Sequence, residues 1–257
     1  MLDVVRGIVL HTVDIGERDR MLTVYTHERG IIGVCVKGAK TFKGKKNASC
    51  SHLSYSEFTL FESGDKLWAR EVNLIRYFHS PTFSVEFLAI STYISELVLA
   101  VATAEADETL MRLVLNTLHA LETERYDHRI VKAAFEMRLL SVIGFMPQVT
   151  ACSGCGRGDG EFYFDIMSGT VSCPDCKSAA ESLADPDDGE RRITCILTAG
   201  ARVALAYSVH SPLERLFSFS LSGEDLSLFA RAAETYVTNQ LERGFVTLDY
   251  YHAVCGD

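Results

Sequence analysis

Residues 4–75 hold five short runs with the texture of β-strands, at 4–10, 21–25, 31–36, 55–61 and 67–74, rich in β-branched and aromatic residues. Gly16, Gly30 and the turn Ser63-Gly64-Asp65 punctuate them. Five short strands in a flat sheet leave two unpaired edges, and closing the sheet into a barrel removes them. A five-stranded, partly open barrel of this size is the oligonucleotide/oligosaccharide-binding architecture. The reading for residues 1–80 is therefore an OB-type β-barrel domain.

After Pro81 the period changes from two to about three and a half. Phe87, Ile90, Tyr93, Ile94, Leu97 and Val101 fall on one face over residues 83–104, and Leu110, Leu113, Val114, Thr117, Leu118 and Leu121 do so over 108–122. A third helix is expected over 129–143, stopped by Gly144 with Pro147 beyond it, and two more over 198–209 and 224–243. Residues 181–192 are polar and turn-rich, which predicts a surface loop. The fold class expected is α+β: the barrel, then a mainly α-helical domain over 81–257 carrying an inserted cysteine module at about 150–178.

That module is the sharpest chemical signal. Cys152-x2-Cys155 and Cys173-x2-Cys176 are separated by 17 residues, the spacing of a four-thiolate zinc site. Ser153-Gly154 and Gly156 suit the first turn, Pro174-Asp175 the second, and residues 162–165 with 167–170 read as a hairpin between them, so the module resembles a zinc ribbon or knuckle. Four thiolates leave no position for water, which predicts one structural Zn2+ per chain. Cys35, Cys50, Cys195 and Cys255 lack any ligand spacing and read as buried bystanders. A zinc deaminase is excluded because no His or Cys has Glu two residues on, and Ser172 rather than proline precedes Cys173. Phosphate-loop, dinucleotide-binding, nucleophile-elbow and zincin patterns also fail, so no enzyme is expected.

Charge is unevenly spread. The formal net charge is −9, yet residues 1–80 carry 12 Lys+Arg against 9 Asp+Glu and the remainder 13 against 25. Residues 37–46 hold Lys37, Lys40, Lys43, Lys45 and Lys46 without one acid, and Phe42 between them. Such a cluster attracts phosphates by counterion release, and an aromatic among lysines can stack on an unpaired base. Arg18 and Arg20 alternate with Glu17 and Asp19, which weakens any extension of the patch. These residues alone leave open a DNA binder, an RNA binder, or a protein-interaction module whose lysines meet an acidic partner. Met1-Leu2-Asp3 opens without a basic stretch and apolar run, and the apolar stretch at 85–104 is broken by Glu86, Ser91, Ser95 and Glu96, so neither secretion nor membrane insertion is expected.

Several segments in order resemble one family. Residues 7–10, then Asp14-Ile15-Gly16-Glu17-Arg18-Asp19-Arg20-Met21-Leu22-Thr23-Val24-Tyr25-Thr26, Gly30 and Val36-Lys37-Gly38-Ala39-Lys40 resemble the opening of the bacterial recombination and repair mediator family RecO. Tyr93-Ile94-Ser95-Glu96-Leu97, Phe135-Glu136-Met137-Arg138-Leu139-Leu140, Ile143-Gly144-Phe145-Met146-Pro147 and Cys152-Ser153-Gly154-Cys155-Gly156 resemble its helical and zinc-bearing part. The resemblance implies a non-enzymatic cytoplasmic protein, at the nucleoid when on DNA. It would bind single- and double-stranded DNA, anneal complementary strands, and work with RecR to place RecA on DNA coated by single-stranded-DNA-binding protein, whose C-terminal tail it would also bind. No motif assigns the residues for that tail.

Overall fold

A computed structural model describes residues 3–82, 84–183 and 193–255. The strand-rich region forms β1 (Asp3–Ile15), β2 (Asp19–Thr26), β3 (Gly30–Val36), β4 (Ser54–Ser63) and β5 (Lys66–Tyr77). They close into a barrel in the order β1-β2-β3-β5-β4. β1 shuts it by pairing antiparallel with β4, from Asp3↔Leu60 to Ile8↔Tyr55, and β3 pairs parallel with β5 at Val34↔Leu67. No strand of the five keeps a free edge along its whole length, as the edge argument requires.

Val5, Val9, Leu22, Val24, Val34, Phe58 and Leu60 fill the barrel with no exposed surface. Each such side chain contributes roughly 1.5–3 kcal/mol through burial. The run Gly7-Ile8-Val9-Leu10 is buried throughout because Val9 faces the barrel interior while the outer side of β1 lies against α2 (Val85–Val101). A strand covered on both faces reads as a continuous apolar run rather than an alternation.

The link from β3 to β4 contains a 3-10 turn at Ala39–Thr41 and a short helix α1 (Lys45–Ala48). Ala39 and Cys50 join the barrel core and Phe42 packs against it, so this link is bound to the barrel by its small and apolar residues while its lysines face solvent.

By compactness the chain divides into two units, Met1–Glu122 with Phe245–Asp257, and Thr123–Gly244. The first unit adds to the barrel α2, α3 (Glu108–Glu122) and α8 (Val246–Cys255). Ser84 caps α2, accepting from the Phe87 N–H at 3.2 Å. Gly30 permits a close approach here: a Cβ on it would stand 2.2 Å from the Thr103 carbonyl, which instead accepts the Ile31 N–H at 2.9 Å. The motif Tyr93-Ile94-Ser95-Glu96 is spent on tertiary contacts. Tyr93 meets Phe245 edge-on, Ser95 hydrogen-bonds His52, and Glu96 accepts from the N–H and hydroxyl of Thr247 in the first turn of α8.

The second unit is built around α4 (His128–Val142), whose residues 130–140 are all buried. Two short strands, β6 (Phe162–Asp165) and β7 (Thr170–Ser172), α5 (Pro174–Leu183), β8 (Thr194–Leu197), α6 (Ala199–His210) and α7 (Gly223–Gln240) complete it. α4 carries charge into this core: Lys132 lies 2.9 Å from Glu136 and 2.6 Å from Glu234, and Arg138 donates to the carbonyls of Ser208 and Ser211. Of the stretch 181–192 expected as a loop, residues 181–183 belong instead to α5; residues 184–192 lie outside the described residues. Among the described residues no helix is long and apolar enough to cross a membrane.

Candidate nucleic-acid interface and metal centre

The lysine segment is tied down at its start. The Gly38 N–H donates to the Asp19 carboxylate at 2.8 Å and the Lys40 N–H to the Arg18 carbonyl at 3.0 Å, which fastens the link to the β1–β2 turn. These contacts sort the lysines. Lys40 Nζ sits 3.5 Å from Asp14 Oδ2 and donates to the Gly16 carbonyl at 3.2 Å, so its charge is largely answered within the barrel. Arg20 is likewise held by Asp14 at 3.0 Å, and its hydrogen bond, aided by Lys40, keeps the Asp14 carboxyl below the usual aspartate range. Lys43 is exposed, away from the concave surface.

Lys37, Lys45 and Lys46 line a groove of about 680 Å³ between this segment and the β4–β5 ribbon. Arg70 adds a further cation and Glu71 one carboxylate. Three aromatics, Phe42, Phe61 and Trp68, share the apolar part of its wall with Val36, Ala69, Val72 and Leu74. Phe42, the ring the sequence offered for stacking, is half-buried at the groove, where it packs against the barrel core and carries the Lys46 ammonium over its ring at 4.2 Å. The ring anchors the segment and holds Lys46 at the groove by a cation–π contact.

Phe61, Trp68 and Arg70 escaped the reading of the sequence. Phe61 and Trp68 are directly opposite each other on β4 and β5, and they face outward because their neighbours Leu60, Leu67 and Ala69 pack inward. The alternation that places them outside is visible in the sequence. Their pairing is set by the two-residue turn at Gly64-Asp65, with the register shift between Thr59 and Leu60 lying beyond the pair; what the sequence does not show is that the lysine segment folds alongside them.

The cysteine module assembles as its spacing predicts. Cys152, Cys155, Cys173 and Cys176 bring four sulfurs within 4.8 Å of one another, and Cys155 and Cys173 stand 3.7 Å apart. Sulfurs around a tetrahedral zinc, with bonds near 2.3 Å, are about 3.8 Å apart, so the cluster has the dimensions of such a site. The expected hairpin forms from β6 and β7, and β8 adds a third strand to it. The Cys173 N–H donates to Cys152 Sγ at 3.3 Å. Desolvation works against the Cys152 thiolate, but the N–H groups of Cys173, Cys155 and Gly154 win and bring it down to about 6. Hydrogen bonding to Cys155, Cys173 and Cys152 pushes Cys176 up to about 12, and a cation among the sulfurs would offset the mutual repulsion of their thiolates. Gly154 eases the packing of the cluster: a Cβ there would lie 3.0 Å from Cys176 Sγ and press on it.

Arg202 of α6, unnoticed in the sequence, holds the first cysteine turn. It donates to the carbonyls of Thr150 at 2.7 Å and Gly158 at 2.6 Å while its guanidinium covers Phe162. Of the remaining cysteines, Cys35, Cys50 and Cys195 are buried and Cys255 is half-buried.

A closed five-stranded barrel with a basic, aromatic groove, joined in one chain to helices and a four-sulfur cluster, defines a class: an OB-barrel protein with an accessory metal-binding module. Family models narrow it. Residues 1–78 match the model described as "Recombination protein O N terminal" and residues 83–249 that described as "Recombination protein O C terminal". The chain belongs to the recombination protein O family, a family of DNA repair proteins. It is 32% identical over 247 residues to DNA repair protein RecO of Acetivibrio thermocellus, covering 95% of this chain and 94% of that one. It is 27% identical to RecO of Symbiobacterium thermophilum, covering 93% and 92%, and 33% identical to RecO of Listeria monocytogenes serotype 4b, covering 66% and 67%.

Proposed function

We propose that the chain is a non-enzymatic recombination mediator that binds single- and double-stranded DNA and anneals complementary strands. With RecR, it would help load RecA onto DNA coated by single-stranded-DNA-binding protein. The observation that carries this reading is the groove, in which Lys37, Lys45, Lys46 and Arg70 converge beside aromatic side chains on an otherwise acidic chain. Phosphates displace counterions at such a cationic cleft. Lys43 and Lys40 lie on the same segment and would meet the backbone outside the groove, Lys40 after exchanging its contact with Asp14.

No bond needs to be made or broken. A protein that holds two strands at once, or a strand and its coat protein, shifts their equilibrium toward pairing or release by binding the favoured arrangement more tightly. In this reading the four cysteines hold one Zn2+, which stands in for a hydrophobic core in a segment too short to have one, and the chain works in the cytoplasm at the nucleoid. The tail of the single-stranded-DNA-binding protein and RecR would be met elsewhere on the chain.

The test is annealing of complementary oligonucleotides, bare and coated with single-stranded-DNA-binding protein, by the native chain and by a variant with Lys37, Lys45 and Lys46 changed to Glu. Faster annealing by the native chain, lost in the variant, and RecA filament formation that depends on added RecR are expected. A folded native chain that neither binds nor anneals DNA at low salt would refute the reading.

A further inference from the structure

The groove has cationic walls, but its floor is apolar, and a phosphate-binding role does not explain that. Across the outer face of the barrel the register sets Met21 beside Cys35, Cys35 beside Trp68, and Trp68 beside Phe61. Val13 of β1 extends the row beside Met21 and is half exposed. Residues paired in this way share one face of the sheet. The row therefore crosses every strand of the barrel, and its two aromatics, each half-buried, border the groove that holds Lys37, Lys46 and Arg70.

We propose that Trp68 and Phe61 form a base-stacking platform, so that this groove takes unpaired nucleotides in preference to duplex. The inference rests on the DNA-binding reading above and deepens it. A single strand can lay its phosphates along the lysines and turn its bases onto the aromatic floor. A duplex has its bases already stacked within the helix and presents phosphates alone, so the floor adds nothing to its binding. Phe42 differs from this pair in that its ring packs against the barrel core and carries the Lys46 ammonium at 4.2 Å.

Trp68 is the single tryptophan of the chain, so its emission reports on the platform directly. The experiment titrates the full-length protein with three probes of equal length: oligothymidylate, a duplex, and an abasic oligonucleotide that keeps the phosphates without bases. Saturating oligothymidylate should quench the emission, and the duplex and abasic strand should bind without doing so.

Trp68→Ala should weaken oligothymidylate binding by about 5- to 140-fold, the equivalent of one lost base–aromatic stack, with the salt dependence unchanged. Trp68→Phe, which keeps a stacking ring, should restore most of it. Equal affinity for abasic and thymidylate strands, or saturation without a change in emission, would overturn the platform and leave phosphate binding intact. Failure of all three probes to bind at low salt would instead overturn the DNA-binding reading itself, and the platform with it.

Discussion

Replacing Lys37, Lys45 and Lys46 together with alanine should flatten the salt dependence of single-strand binding, and replacing Lys40 and Lys43 should do so far less. Each phosphate contact to a single strand contributes a slope of about 0.7 in the logarithm of affinity against the logarithm of salt. Three lost contacts remove about 2.1 from the slope. Between 50 and 200 mM salt the native chain should then lose about 18-fold more affinity than the triple variant. In the second variant Lys40 is already engaged by Asp14 and Gly16, and Lys43 lies outside the groove, so a change below about 0.7 is expected for the pair. The assay is fluorescence anisotropy of a labelled oligothymidylate over a series of salt concentrations. All five lysines are exposed, so the folded state should survive either change. Equal loss of slope in the two variants would show that the segment acts as a diffuse charge, and an unchanged slope in the triple variant would remove the groove from DNA binding altogether.

Three further expectations follow from the core and the cysteine cluster. Protein purified without added metal should contain about one zinc per chain, and Cys152→Ser should lower the melting temperature; a metal-free chain of full stability would refute the site. Burial, helped by nearby His11, pulls the His52 imidazole down to about 4, so between pH 6.5 and 4 the unfolded chain takes up a proton that the folded chain refuses. Stability should therefore fall with pH through that window, by a share approaching about 3 kcal/mol, and His52→Gln should abolish this share in urea unfolding at several pH values. Lys132→Met strips the cation from Glu136, which has no exposed surface, and should cost about 3–5 kcal/mol by denaturant unfolding; native-like stability would show that the pair is not maintained in solution.

Much of the scaffold was legible because its signals are local. β-Branched residues in short runs marked β1 to β5, and the need to hide sheet edges led from those runs to a closed barrel. Apolar spacing located α2, α3, α4, α6 and α7 to within a few residues. Helix α8 and strand β8 were missed for the opposite reason. Residues 246–255 are rich in β-branched and aromatic types with weak helix propensity, and the group that caps their first turn is Glu96, 151 positions earlier in the chain. β8 is four residues long and gains its place by pairing with β6 and packing against α7, residues remote from it in sequence.

The candidate sites divide along the same line. Two Cys-x2-Cys pairs specify their own convergence, since each turn brings two sulfurs together and only one ion has to join the turns, so the cluster at 152, 155, 173 and 176 could be read without coordinates. The density of lysine at 37–46 was equally plain. Which of those lysines face a groove, which one is answered by Asp14, that Phe42 packs on the barrel core beneath Lys46, and that the lysine segment folds beside Trp68 and Phe61 were decided by tertiary structure alone. Charge and spacing belong to the chain, but a surface is made by strands brought into register, and register depends on cross-strand contacts between residues far apart in sequence.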